Sequence, residues 1–172
     1  MNRPDPMTDR RPNDSAQPEP NLDKPGVRLP PPLVYLMAIL LGAGIDRLVP
    51  LRVLPADLTR WLGGALVLFA VIIGALSVRE FRKARTAIRP DRPATALVTT
   101  GPFRYSRNPM YLAFSLLQAG IGIWMNNVWI LLLLIPVIAW INYHVSAREE
   151  QYLRGRFSQT YPAYQGRVRR WL

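Results

Sequence analysis

The chain is 172 residues long and carries 22 Lys and Arg against 11 Asp and Glu, with one His and no Cys. Disulfide frameworks, thiolate metal sites, cysteine nucleophiles and metal sites built from His clusters are thereby excluded. A hydrophobic fraction of 49% is ordinary, but the mean hydropathy of +0.04 averages a polar head with several long apolar runs, and that segregation marks a membrane protein.

Residues 1–32 hold nine of the 17 prolines, five acids and five bases, and almost nothing bulky. Such a composition does not offset chain entropy by burial, so this stretch reads as a disordered tail. It lacks the basic-then-apolar order of a signal peptide, and the apolar run that begins at Leu33 is expected to be retained. From Leu33 to Leu51 the chain is apolar except for Asp46 and Arg47, a short first span. Trp61 to Val78 offers 18 residues without a formal charge, a second span. Asn108 to Ala147 is 40 residues with no Lys, Arg, Asp or Glu; as one helix it would run about 60 Å, twice the hydrocarbon core. It must fold back, and Met125-Asn126-Asn127-Val128 is the polar break near its middle. A helical hairpin is expected there, with spans near Pro109–Trp124 and Val128–Val145. The fold class is therefore an all-α membrane protein with about four transmembrane helices, in two parts: the tail 1–32 and a membrane domain 33–172.

Orientation follows from the bases. The tail has five Lys and Arg, the 46–60 loop three, the 79–107 segment eight, the Asn-Asn turn none and residues 146–172 six. The positive-inside rule then puts the tail, the 79–107 segment and the C-terminus in the cytoplasm. The net charge of +11 borders apolar spans, which suits membrane lipid headgroups rather than nucleic acid. Pro136 is expected to kink the last span and widen a substrate opening; Gly63, Gly64 and Gly74 read first as close-packing positions.

Two clusters on that basic side carry chemistry. Gly101-Pro102-Phe103-Arg104-Tyr105-Ser106-Arg107-Asn108-Pro109-Met110-Tyr111 leads into the third span. Asn108 and Pro109 form an N-cap and N1 pair, and flanking Arg104 and Arg107 could hold a carboxylate or phosphate. A capped helix start with snorkelling arginines accounts for the same residues. After the fourth span come Arg148-Glu149-Glu150-Gln151-Tyr152-Leu153 and then Phe157, Tyr161, Tyr164 and Arg167-Val168-Arg169-Arg170-Trp171. Read plainly this is a solvated helix turn and an aromatic belt, but a carboxylate pair at the bilayer edge also suits a ligand with an amine or ribose hydroxyls. One membrane face offers anion donors and anionic acceptors together.

These two motifs, in this order around a helical hairpin, resemble the integral membrane methyltransferases typified by isoprenylcysteine carboxyl methyltransferase and the phospholipid N-methyltransferases. The resemblance covers roughly Thr95 to Trp171. It implies S-adenosylmethionine as cofactor and methyl transfer at the cytoplasmic membrane face to a lipophilic or lipid-like acceptor, a carboxylate, thiol or amine. Carried over by position, the cofactor contacts fall on Leu97, Val98, Phe103, Asn108, Pro109, Met110, Tyr111 and Glu149. Tyr111 and Arg148 are the residues implied at the reacting centre, Arg148 by steering an anionic substrate group. Neither a metal nor nucleic acid is expected, and the bacterial relatives point to a bacterial inner membrane. Asn108 stands where the classical motif has His, which excludes any role that needs an imidazole. Val145 stands where the eukaryotic enzymes place a substrate-binding arginine. Two other readings remain at this point: an NADPH-dependent membrane reductase related to sterol reductases, and a non-catalytic membrane adaptor.

Overall fold

The computed structural model describes residues 29–88 and 93–172; the expectation of a disordered tail falls largely on residues outside them. The described residues are helical, and they contain no strand. Helix α1 spans Pro31–Leu48, α2 Ala56–Lys83, α3 Pro109–Trp124, α4 Val128–Trp140, α5 Ala147–Arg156 and α6 Tyr161–Arg167, with a 3-10 turn at Gly101–Arg104. A π-helical segment, Ile141–Ser146, joins α4 to α5 without a break.

Three helices are long and apolar enough to cross a membrane: Pro31–Leu48, Ala56–Lys83 and the continuous Val128–Arg156. The fourth expected span, Pro109–Trp124, has the predicted bounds but only 16 residues, about 24 Å of helix against a hydrocarbon core of about 30 Å. It is also the most enclosed helix, burying Tyr111, Ala113, Ser115, Gln118, Gly120 and Gly122. Packing against protein rather than lipid lets a short helix sit at membrane depth.

Small residues set the α2–α3 contact. On α2 the buried positions are Thr59, Gly63, Ala70 and Ser77, a stripe on one helix face. A Cβ on Gly63 would stand 2.5 Å from the Trp124 backbone nitrogen, and one on Gly120 would stand 2.9 Å from the Val67 nitrogen. Each glycine thus lets the other backbone approach, as small residues do between membrane helices. Gly64 faces open space. Gly63→Ala is expected to destabilise the protein by about 1–3 kcal/mol, whereas Gly64→Ala leaves the melting temperature in detergent unchanged; equal melting of the two variants would refute this packing account.

Asn126 and Asn127 build the turn between α3 and α4. Asn126 takes a left-handed φ of 49°, which Asn tolerates well. Its side chain accepts from the Val53 and Leu54 amides at 3.2 Å and donates to the Leu54 carbonyl at 2.7 Å. Asn127 caps α4 by accepting from the Ile130 amide at 3.1 Å. Arg52 bridges the same turn, donating to the Asn126 carbonyl at 2.9 Å and pairing with Asp46 at 2.8 Å. Asn126, Asn127, Arg52 and Asp46 thus tie the polar groups of this turn to one another. The opposite end carries both clusters singled out in the sequence.

Candidate functional site

At that opposite end the chain leaves α2 through Arg85, which has a φ of 50°. Thr86 ties the loop together, its hydroxyl accepting from the Thr95 and Ala96 amides at 3.0 and 3.3 Å. The Ala94 amide donates to the Tyr152 hydroxyl at 2.9 Å, which anchors the loop to α5. Gly101 has a φ of 60°, and a Cβ there would meet the Glu80 side chain at 2.7 Å. The 3-10 turn that follows buries Phe103 edge-on against Phe81, ring centroids 5.2 Å apart, and the Phe103 carbonyl accepts from the Tyr164 hydroxyl at 2.7 Å.

The start of α3 is held by the C-terminal segment. The Arg107 and Asn108 amides donate to the Arg169 and Arg170 carbonyls at 3.0 and 3.2 Å, and the Ser106 hydroxyl donates to the Arg170 carbonyl at 3.1 Å. Asn108 does occupy the N-cap position, but its side chain makes no capping hydrogen bond. The capping role expected for it is corrected accordingly. The Asn108 amide is held by the Arg170 carbonyl and the Ser106 hydroxyl, and the buried Asn108 Nδ2 has no partner among the described residues.

The two acids on α5 have different surroundings. Glu150, 5% exposed, is gripped by Arg170, whose Nε and Nη2 donate to its two oxygens at 2.7 and 2.9 Å. Arg107 Nη1 touches the same carboxylate at 3.2 Å, and the buried Arg107 Nε has no partner among the described residues. Glu149 instead accepts from the Tyr111 hydroxyl at 2.5 Å. Tyr111 in turn packs in the core with Tyr35, Val137, Ile141 and Val145, and the Tyr35 hydroxyl bonds the Tyr111 carbonyl and Ser115. Burial pushes the Tyr161 and Tyr164 phenols upward, so both stay protonated through neutral pH and act as uncharged groups.

Between these elements lies a cleft of about 760 Å3, part of it open to solvent. Its apolar wall includes Phe81, Ile88, Leu97, Val98, Phe103 and Leu153; its polar wall is Arg107, Asn108, Glu149, Glu150, Tyr152, Tyr161 and Tyr164. The mix of a largely apolar lining with a few convergent polar groups is that of a small-molecule site.

Of the residues named from sequence, the cleft brings together Leu97, Val98, Phe103, Asn108 and Glu149. Pro109 and Met110 form the first turn of α3 and are not in its lining, and Tyr111 reaches it through Glu149. Arg148 lies on the exposed side of α5. Sequence reasoning assigned Glu150 a role only as one of a carboxylate pair, and none to Arg170, Asn142, Ser106 or the 94–96 loop. The available signal was an Arg-Arg and a Glu-Glu pair flanking the same membrane edge.

Comparison with known proteins agrees with the motif resemblance. A protein of Haemophilus influenzae, described only as uncharacterized, is 40% identical over 63 residues, 37% of this chain and 100% of that relative. No solved structure matches the chain. The phospholipid methyltransferase family matches residues 58–160, a stretch that runs from α2 through α5 and includes the cleft's polar wall except Tyr161 and Tyr164. Methyl transfer to lipid-like substrates is the class of activity this match supports, and it accords with membrane-length helices beside a cleft. With more than half of its length matched, the chain belongs to the phospholipid methyltransferase family.

Proposed function

We propose that residues 33–172 act as one S-adenosylmethionine-dependent methyltransferase domain that modifies a lipophilic acceptor at the cytoplasmic face of the membrane. The observation that carries this reading is the pair of buried, unpartnered donors, Arg107 Nε and Asn108 Nδ2, in a cleft that also presents the Glu149 carboxylate. A buried donor without a partner costs about 1–3 kcal/mol, and a bound acceptor removes that cost. The donor set fits the proposed cofactor. Arg107 and Asn108 suit its carboxylate, Glu149 its ammonium or ribose diol, and Phe103, Leu97 and Val98 its base. When bound, S-adenosylmethionine supplies an electrophilic methyl group on a sulfonium centre.

The protein's own task is alignment and exclusion of water rather than acid-base chemistry. Glu149 is held in place by Tyr111, and Tyr111 by the core around Tyr35. In this scheme Tyr111 orients Glu149 beside the reacting centre, and Arg148 steers an anionic group of the substrate. An acceptor with a lipid tail reaches the cleft from the bilayer side while the polar cofactor enters from water. A carboxylate acceptor needs no base, whereas an amine must arrive neutral.

Isothermal titration of detergent-purified protein with S-adenosylmethionine, S-adenosylhomocysteine and NADPH tests the assignment. Saturable binding of the first two and none of NADPH is expected. Tight NADPH binding with neither of the others would make the protein a reductase, and binding of none by a folded sample would make it a non-catalytic scaffold. Transfer of labelled methyl from S-adenosylmethionine into a membrane lipid extract then identifies the acceptor class.

A further inference from the structure

The Glu150 carboxylate stands between two guanidinium groups that serve it unequally. Arg170 meets it as a fork, with one nitrogen on each oxygen. Its third nitrogen, Nη1, donates to Asn142 Oδ1 at 2.9 Å, and Trp171 Nε1 donates to that same oxygen at 3.1 Å. All three nitrogens of Arg170 are thus committed. Arg107 makes a single, longer contact with Glu150 through Nη1 and a 3.4 Å bond from Nη1 to the Tyr161 hydroxyl, and its Nε remains unpartnered.

The π segment makes this division possible. On a regular α-helix, residues eight apart lie about 80° out of line, which would turn Asn142 away from Glu150. The i to i+5 winding of Ile141–Ser146 advances more slowly per residue, so both side chains come to face Arg170.

We propose that Arg170 is a positioning residue of the cleft: by occupying both oxygens of Glu150 it keeps Arg107 from closing its own fork on that carboxylate and leaves Arg107 Nε free for the ligand. Forked guanidinium–carboxylate pairs are strongly favoured over single contacts. Without Arg170, Glu150 is buried with a free oxygen, and Arg107 is the cation already in contact with it. Arg107 would then turn onto Glu150, consuming the donor that the cleft offers. This inference rests on the reading of the cleft as an S-adenosylmethionine site.

The test compares the unaltered chain, Arg170→Gln and the double variant Glu150→Gln/Arg170→Gln. Two measurements are made: S-adenosylhomocysteine affinity by titration, and hydrogen exchange at the Arg107 and Asn108 amides in the ligand-free protein. Those amides report whether the C-terminal segment is docked. Arg170→Gln is expected to bind roughly ten-fold or more weakly with the amides still protected. The double variant, in which the Glu150 carboxylate is no longer there to capture Arg107, is expected to recover to within about three-fold of the unaltered chain. Equal binding by Arg170→Gln, or a double variant as weak as the single one, would overturn the positioning role. Loss of amide protection in both variants would make Arg170 a tether and likewise overturn it. If the unaltered chain binds no S-adenosylhomocysteine, the proposed function fails and takes this inference with it; if it binds and Arg170→Gln binds equally, this inference fails alone.

Discussion

Glu149→Gln is expected to weaken S-adenosylhomocysteine binding by about 10- to 100-fold while leaving the melting temperature in detergent within a few degrees of the unaltered protein. The two effects separate because Glu149 makes two kinds of contact. Toward the protein it accepts from the Tyr111 hydroxyl, and an amide carbonyl accepts that bond as well. Toward the cleft its carboxyl lines the wall, and a hydrogen bond there from a cationic ligand amine is worth about 1.5–3 kcal/mol. The substitution therefore preserves the internal contact and removes the external one. Unchanged affinity in a folded variant would place the ligand elsewhere in the cleft.

Glu150→Ala should act on stability instead. It strips the counter-charge from Arg107 and Arg170, whose side chains are 10% and 29% exposed. Breaking a buried pair costs about 3–5 kcal/mol, and the partial exposure of Arg170 puts this case near 3. Asp46→Asn provides the contrast, since Arg52 is 51% exposed and an exposed pair contributes less than about 1 kcal/mol. Denaturant titration of both variants measures the difference. A Glu150→Ala protein as stable as Asp46→Asn would mean that the Glu150 cluster adds nothing to the folded state.

The helices were legible because membrane spans are written in runs of composition. A 40-residue stretch without formal charge has to turn back within one bilayer, and Asn126-Asn127 was its polar break; α3 begins at Pro109 and ends at Trp124 as expected. The span expected near Val128–Val145 belongs to a longer helix, which runs on through the π segment to Arg156. Pro136 was the visible irregularity and lies inside α4, and the π segment that follows it at Ile141–Ser146 had no such mark. A π turn depends on tertiary partners such as Arg170 and Trp171, and these lie too far along the chain for local pattern to reveal.

The site divides in the same way. Glu149, Asn108, Leu97, Val98 and Phe103 were nameable from motifs, and the cleft brings them together. What pairs with what was not nameable. The resemblance singled out Glu149 of the acidic pair, but only the fold gives Glu150 to Arg170 and Glu149 to Tyr111.

The C-terminal segment joins Ser106, Arg107 and Asn108 to residues more than sixty positions later. Contacts of that span carry a high loop-closure cost. The order of the cleft thus depends on a few polar bonds at its rim, drawn from segments far apart in the chain. A ligand that binds only the ordered cleft stabilises it by its own binding free energy, so saturating S-adenosylhomocysteine is expected to slow proteolysis at the Arg169–Trp171 edge.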